Sequence, residues 1–176
     1  MRKLNLFIAT SLDGYIAKPN DDLSFLKLIE KEGQDYGYAA FVANIDTILI
    51  GRKSYDWVAR EIGTSHYDNG ERDVYVMTRT PKSDSGRIKF CTGNLAELVR
   101  DLKKKEGKNI YCDGGAEVIN ELLKHDLVDE MIISIVPILL GNGVRLFQDG
   151  RPEHNLKLVH TATFDTGLVQ LRYARS

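Results

Sequence analysis

Ile110-Tyr111-Cys112-Asp113-Gly114-Gly115-Ala116 carries the reading of this chain. An apolar strand-like run ends, two glycines follow, and a helical stripe of Val118, Ile119, Leu122 and Leu123 begins over Ala116 to Lys124. The same succession recurs at Ile48-Leu49-Ile50-Gly51-Arg52-Lys53-Ser54, and more loosely in the glycine-punctuated loop from Pro137 to Phe147. Ligands of open α/β sheets bind outside the carboxyl ends of the strands. Helix N-termini there present unpaired N–H groups to an anion, and glycine lets backbone approach a phosphate closely. One such turn by itself is a plain loop; several sharing a sheet edge make a ligand groove. Neither GxGxxG nor GxxxxGK[ST] occurs.

Outward from these turns, strand and helix patterns alternate. Leu4 to Thr10 reads as a strand, and Ser11-Leu12-Asp13-Gly14-Tyr15-Ile16 as a turn leading into a short extended piece. Apolar residues recur at helical spacing from Phe25 to Val42, and the pattern predicts a helix over Asp35 to Ala43. Thr47 to Ile50, Asp73 to Thr78, Arg87 to Cys91 and Asn109 to Cys112 read as strands, and Ser54 to Arg60 as a helix. Leu95, Leu98, Val99 and Leu102 form one helical face, with Glu97, Asp101, Lys103 and Lys104 turned to water and Asn94 as the cap. Glu130 to Val136 is β-branched and almost uncharged, as an interior strand is. Leu156 to Thr163 and Leu168 to Ala174 follow without a helix between them, joined around Asp165-Thr166-Gly167. Alternation of this kind predicts a mostly parallel sheet covered on both faces, closed by an antiparallel strand.

The 176 residues carry 43% hydrophobic and 28% charged residues, which excludes a disordered chain and fits one domain. No apolar run approaches the roughly 20 residues of a membrane helix, and no signal peptide opens the chain, so cytoplasmic residence is the expectation. Lysine and arginine number 24 against 25 acids, so bulk charge does not favour nucleic acid. Cys91 and Cys112 form no metal knuckle, and His66, His125, His154 and His160 have no metal-ligand spacing. No metal site is expected.

Arg52 and Lys53 follow Gly51 directly, and Arg79 follows the strand that ends at Thr78. Singly each is a solvated charge; together they have the chemistry to hold the phosphomonoester that distinguishes NADPH from NADH. Asp35 stands among Tyr36, Tyr38 and Phe41, where desolvation would raise its pKa; the alternative is that it faces water or caps the helix. Asp13 reads as a turn former, and Asp113 as either structural or in contact with substrate. Trp57 and Tyr55 are the aromatics nearest a candidate site.

Taken in order, Ser11-Leu12-Asp13-Gly14-Tyr15-Ile16, Gly51-Arg52-Lys53-Ser54-Tyr55, Asp113-Gly114-Gly115-Ala116, Val128-Asp129-Glu130 and Pro137-Ile138-Leu139-Leu140-Gly141-Asn142-Gly143 resemble the dihydrofolate-reductase-like fold, in the branch of the riboflavin-biosynthesis reductase domain. The resemblance implies a three-layer α/β/α domain with a reversed last strand and NADPH as cofactor. It implies that Gly51, Arg52, Lys53 and Ser54 sit at one phosphate-binding helix start, Thr78 and Arg79 near the adenosine ribose, and Gly114, Gly115, Ala116 and Glu117 around the pyrophosphate. A cis peptide between the paired glycines is a further family expectation.

Asp35, 16 residues before Gly51, matches the pterin-binding carboxylate of true dihydrofolate reductases and is the catalytic candidate. Ala9, Asp13, Tyr38 and Trp57 are the substrate-side candidates. The tryptophan and proline that precede that carboxylate in true dihydrofolate reductases are replaced here by Leu26-Lys27-Leu28-Ile29-Glu30. The expectation is an NADPH-dependent reductase of a pterin- or pyrimidine-like substrate, such as a 5-amino-6-(5-phosphoribosylamino)uracil, working as a homodimer. The alternatives are dihydrofolate reduction proper and a non-catalytic nucleotide-binding or scaffold protein.

Overall fold

The computed structural model describes residues 1–68 and 70–176. Apolar β-branched runs form the strands β1 (Leu4–Ser11), β3 (Ile45–Gly51), β4 (Asp73–Met77), β5 (Ile88–Cys91), β6 (Asn109–Gly114) and β7 (Glu130–Val136). With β9 (Leu156–Thr163) and β10 (Val169–Arg175) they make one sheet in the order β5-β4-β3-β6-β1-β7-β10-β9. The pairs β5·β4, β4·β3, β3·β6, β6·β1 and β1·β7 are parallel, while β10 runs against both β7 and β9. This is the expected mixed sheet with a reversed C-terminal strand. The carboxyl ends of β1, β3, β4, β6 and β7 therefore lie along one edge.

Helices cover both faces. The helices α3 (Leu95–Lys104) and α4 (Ala116–Lys124) pack Val99, Leu102, Ile119 and Leu122 on Leu4, Leu6, Leu49 and Ile110. On the other face α1 (Tyr38–Val42) and α2 (Arg52–Glu61) set Tyr38, Phe41, Tyr55 and Val58 against Phe7, Ile48, Ile50 and Tyr111. Each fully buried aliphatic side chain contributes about 1.5–3 kcal/mol through removal of its surface from water.

Two expectations need correction. The helix foreseen over Asp35 to Ala43 shrinks to Tyr38–Val42, because Gly33, Tyr36 and Gly37 all take left-handed backbone that a helix cannot contain. Upstream, Ser24–Ile29 forms a tighter 3₁₀ turn. Lys103, expected in water, is 8% exposed: its Nζ donates to the Leu127 carbonyl at 2.7 Å and pairs with Asp129 at 2.6 Å. The Asn94 cap holds, accepting from the Glu97 amide at 3.0 Å.

The Pro137-to-Phe147 loop contains a two-residue strand, β8 (Val144–Arg145), paired with β2 (Tyr15–Ala17). Asp13 ties the two loops together, accepting from the Leu140 amide at 3.1 Å and the Gly141 amide at 2.7 Å. Donation from the Ser11 hydroxyl, helped by those amides, brings its pKa down to about 2. Among the described residues, no helix is long and apolar enough to cross a membrane. Gly143 has φ +140°, and a Cβ there would overlap the Ala17 carbonyl oxygen. Gly143→Ala is expected to cost about 2 kcal/mol or more in a denaturant melt, through strain and overlap together.

Candidate functional site

Ile50 and Gly114 are paired in the β3·β6 ladder, so the glycine turns that end these two strands meet side by side. A Cβ on Gly51 would stand 3.1 Å from Val118 Cγ2 and 3.6 Å from the Gly115 amide nitrogen. A Cβ on Gly115 would stand 2.7 Å from Ser54 Oγ. A side chain at Gly115 would displace the Ser54 hydroxyl, and Gly114, with φ +102°, is linked to Gly115 by the expected cis peptide.

Both helices that start here are capped by glycine: Gly51 for α2 and Gly115 for α4, neither with a side-chain acceptor. Their first N–H groups point along the groove without the carboxamide partner that α3 has. Two positive dipole ends thus converge on one strip of backbone.

Charged residues edge this strip. Arg52 Nε donates to both Asp56 oxygens at 2.7 and 2.8 Å, and its guanidinium lies 5.6 Å from the Phe90 ring centre. Lys53 pairs with Asp21 at 3.1 Å. Arg79, 94% exposed, reaches Glu117 at 3.5 Å. Thr78 accepts from the Thr80 amide at 3.2 Å, shaping the turn after β4. Exposed pairs such as these contribute about 0–1 kcal/mol, so an incoming phosphate can displace the carboxylate. Ala116 is buried at the first turn of α4, beneath Glu117.

Beyond the groove, Ala9 of β1 is in the wall of a cavity of about 480 Å³ lined also by Leu26, Ile29, Glu30, Lys31, Glu32, Gln34 and Tyr36. The outer wall is pinned to the β9–β10 turn. Tyr36 donates to the Ile29 carbonyl and lies 3.0 Å from Thr166 Oγ1, and Lys31 pairs with Asp165.

Of the two readings of Asp35, the structure bears out the exposed, capping one. Asp35 is exposed, precedes α1, and accepts from the Ala39 and Gly37 amides, each at 2.9 Å. Those bonds, led by Ala39, hold its pKa below the usual carboxylate value, opposite to the rise expected from aromatic neighbours. Asp35 is thus a capping carboxylate and does not line the cavity. Tyr38 is half-buried with its ring 5.5 Å from Phe7, and burial, with the Asp113 charge, lifts its pKa to about 12. Trp57 lies roughly 200° round α2 from buried Tyr55 and outside the cavity lining.

The acid that does show a raised pKa is Asp113, directly before the glycine pair. Burial drives the rise; hydrogen bonds from Tyr111 and Tyr67 oppose it. Tyr111 donates to Oδ1 at 2.6 Å and Tyr67 donates to Oδ2. Both phenols are themselves pushed up, first by burial and then by the Asp113 charge. Tyr111 and Asp113 are two residues apart on one strand, a spacing that puts both on the same sheet face. Tyr67 comes from 46 residues away, and no local pattern announces it.

A carboxyl whose folded pKa is raised stabilises most below its unfolded value of about 3.9, and that contribution is lost as pH rises through the folded pKa. Asp113→Asn is therefore expected to flatten the fall of stability with pH above about pH 4, measured by urea unfolding at each pH. An unchanged slope contradicts the assignment.

A family model described as the RibD C-terminal domain matches residues 2–170. The uncharacterized protein YwjB of Bacillus subtilis (strain 168) is 37% identical over 176 residues, covering 99% of both chains. A crystal structure from Shewanella sp. PV-4, of a protein provisionally named for riboflavin biosynthesis, matches at TM-score 0.88 and 31% identity over 99% of each chain. A dihydrofolate reductase from Enterococcus faecalis, solved with NADP(H) and RAB-propyl, shares the fold at TM-score 0.67 and 16% identity, covering 99% of this chain and 96% of that one. The chain belongs to the RibD C-terminal domain family and has the fold of dihydrofolate reductase.

Proposed function

We propose that this protein is an NADPH-dependent reductase of a small heterocyclic, pterin- or pyrimidine-like compound. The observation that carries the reading is the meeting of two glycine-capped helix starts at one sheet edge, beside an apolar cavity. The residues fit a phosphorylated dinucleotide. Gly114, Gly115 and the first amides of α4 would hold the pyrophosphate, with Ser54 closing over Gly115. Gly51 and the α2 amides would hold a second phosphate, and Thr78, Arg79 and Arg52 the adenosine 2′-phosphate. The NADP(H) bound by the Enterococcus dihydrofolate reductase lends support through the shared fold alone.

Bound NADPH would supply the hydride. The chain's own part is to orient substrate and supply a proton. Ala9, Leu26, Ile29 and Tyr36 give a flat ring an apolar bed. Neither Asp113 nor Asp35 lines the cavity; of the two, burial favours the protonated form of Asp113 while backbone amides keep Asp35 ionised, so Asp113 is the candidate source of a proton that must be relayed to the ring. Tyr67 and Tyr111 fix the carboxyl in place.

Titration with both dinucleotides tests the cofactor assignment. Parent protein is expected to prefer NADPH, and Arg79→Ala to weaken NADPH about tenfold, or about 1.4 kcal/mol, while leaving NADH unchanged. Equal affinity for both cofactors in parent and variant would remove the assignment. Gly115→Ala is expected to weaken NADPH binding about tenfold, because its Cβ turns the Ser54 hydroxyl out of its place in the cradle. For the acid, Asp113→Asn is expected to lower turnover by about 10²–10⁴ with NADPH affinity nearly unchanged. Full turnover in that variant returns the role to Asp35, for which Asp35→Asn is the matching test.

A further inference from the structure

Phosphate chemistry is unevenly distributed over this site. Along the dinucleotide groove, free helix amides and the cations Arg52, Lys53 and Arg79 are at hand. The cavity over Ala9 has the opposite character. Its floor and back wall are Ala9, Leu26, Ile29 and Tyr36, and its polar lining is Glu30, Lys31, Glu32 and Gln34. Lys31 is the one cation in that lining among the described residues, and it is paired with Asp165 on the β9–β10 turn.

Even with Lys31 released, Glu30 and Glu32 leave the lining with an excess negative charge. Asp35 stays outside the lining, turned to the Ala39 and Gly37 amides, and brings no positive charge to it. Among the described residues, no helix of useful length begins at this wall either: Ser24–Ile29 is a 3₁₀ turn and α1 is five residues long. A phosphate dianion placed here would meet carboxylates at short range and find no fork or amide nest to replace its water. An exocyclic amine would find acceptors at Glu30, Glu32 and Gln34, and a ring would find the apolar floor.

We propose that the substrate of this cavity is an amino-bearing heterocycle that carries no phosphate, which separates this chain from a reductase of phosphoribosyl conjugates. The proposal rests on the reductase reading above and narrows it. At about 480 Å³ the cavity admits a ring with a small substituent. The acidic wall is a rejecting element as much as an attracting one, since specificity is a difference between affinities.

The test is a two-stage calorimetric titration of the whole chain, first with NADPH and then, on the NADPH-loaded protein, with a matched pair of probes. The pair is 5-amino-6-(ribosylamino)uracil and its 5′-phosphate, which share a ring and differ in the phosphate alone. The phosphate-free probe is expected to bind at least tenfold more tightly. In the Glu30→Lys/Glu32→Lys variant, whose changes lie on exposed positions, the phosphorylated probe is expected to gain at least tenfold and the gap to close.

Tighter binding of the phosphorylated probe by the parent, or an unchanged ratio in the variant, overturns the proposal while the reductase reading stands. Binding of neither probe to NADPH-loaded protein overturns it as well. Failure of NADPH to bind in the first stage overturns the reductase reading itself, and the substrate proposal falls with it.

Discussion

The close approach of two backbones, Gly51 at the end of β3 and Gly115 after β6, is the constraint on which the site depends. Parallel pairing brings the two strand ends level, and the lack of side chains lets the helices that follow start side by side. A Cβ on either residue would push Val118 or Ser54 out of the groove. The price of such a turn is backbone freedom, and the return is a strip of unpaired amides that no side-chain cap fills.

That strip divides the labour of the molecule. Charge needed for anion recognition lies around it on exposed, weakly paired arginines and a lysine, ready to exchange a carboxylate partner for a phosphate. The cavity beyond it holds apolar surface and carboxylates, and its outer wall is anchored by Tyr36 and Lys31 to the turn between the last two strands. Asp113 lies outside the cavity lining: it is next to the glycine pair in sequence and turned toward the aromatic face with Tyr67 and Tyr111. A buried carboxyl held by two phenols is fixed in orientation and keeps its proton to higher pH than an exposed one.

Much of the fold was legible because its signals are local. The stripe of α3 with its Asn94 cap, the glycine stops after β3 and β6, and the alternation that demands a parallel sheet all fall within short windows. Resemblance to a known fold then supplied the order of the motifs. What failed was what depends on distant partners. Lys103 looked like a surface lysine until Asp129 and the Leu127 carbonyl arrived from another element. Asp35 had aromatic neighbours in sequence, but left-handed residues at Gly33, Tyr36 and Gly37 turned it outward. Tyr67 carries no motif, and its hydrogen bond to Asp113 joins residues 46 apart in the chain.

Hydrogen exchange during an NADPH titration probes the shared groove most directly, because it reads the amides themselves. Exchange is expected to slow at residues 52–54 and 115–117 together, with one half-saturation concentration for both segments. Protection of one segment without the other, or of neither while some distant part of the sheet responds, would mean that these two strand ends do not serve a common ligand.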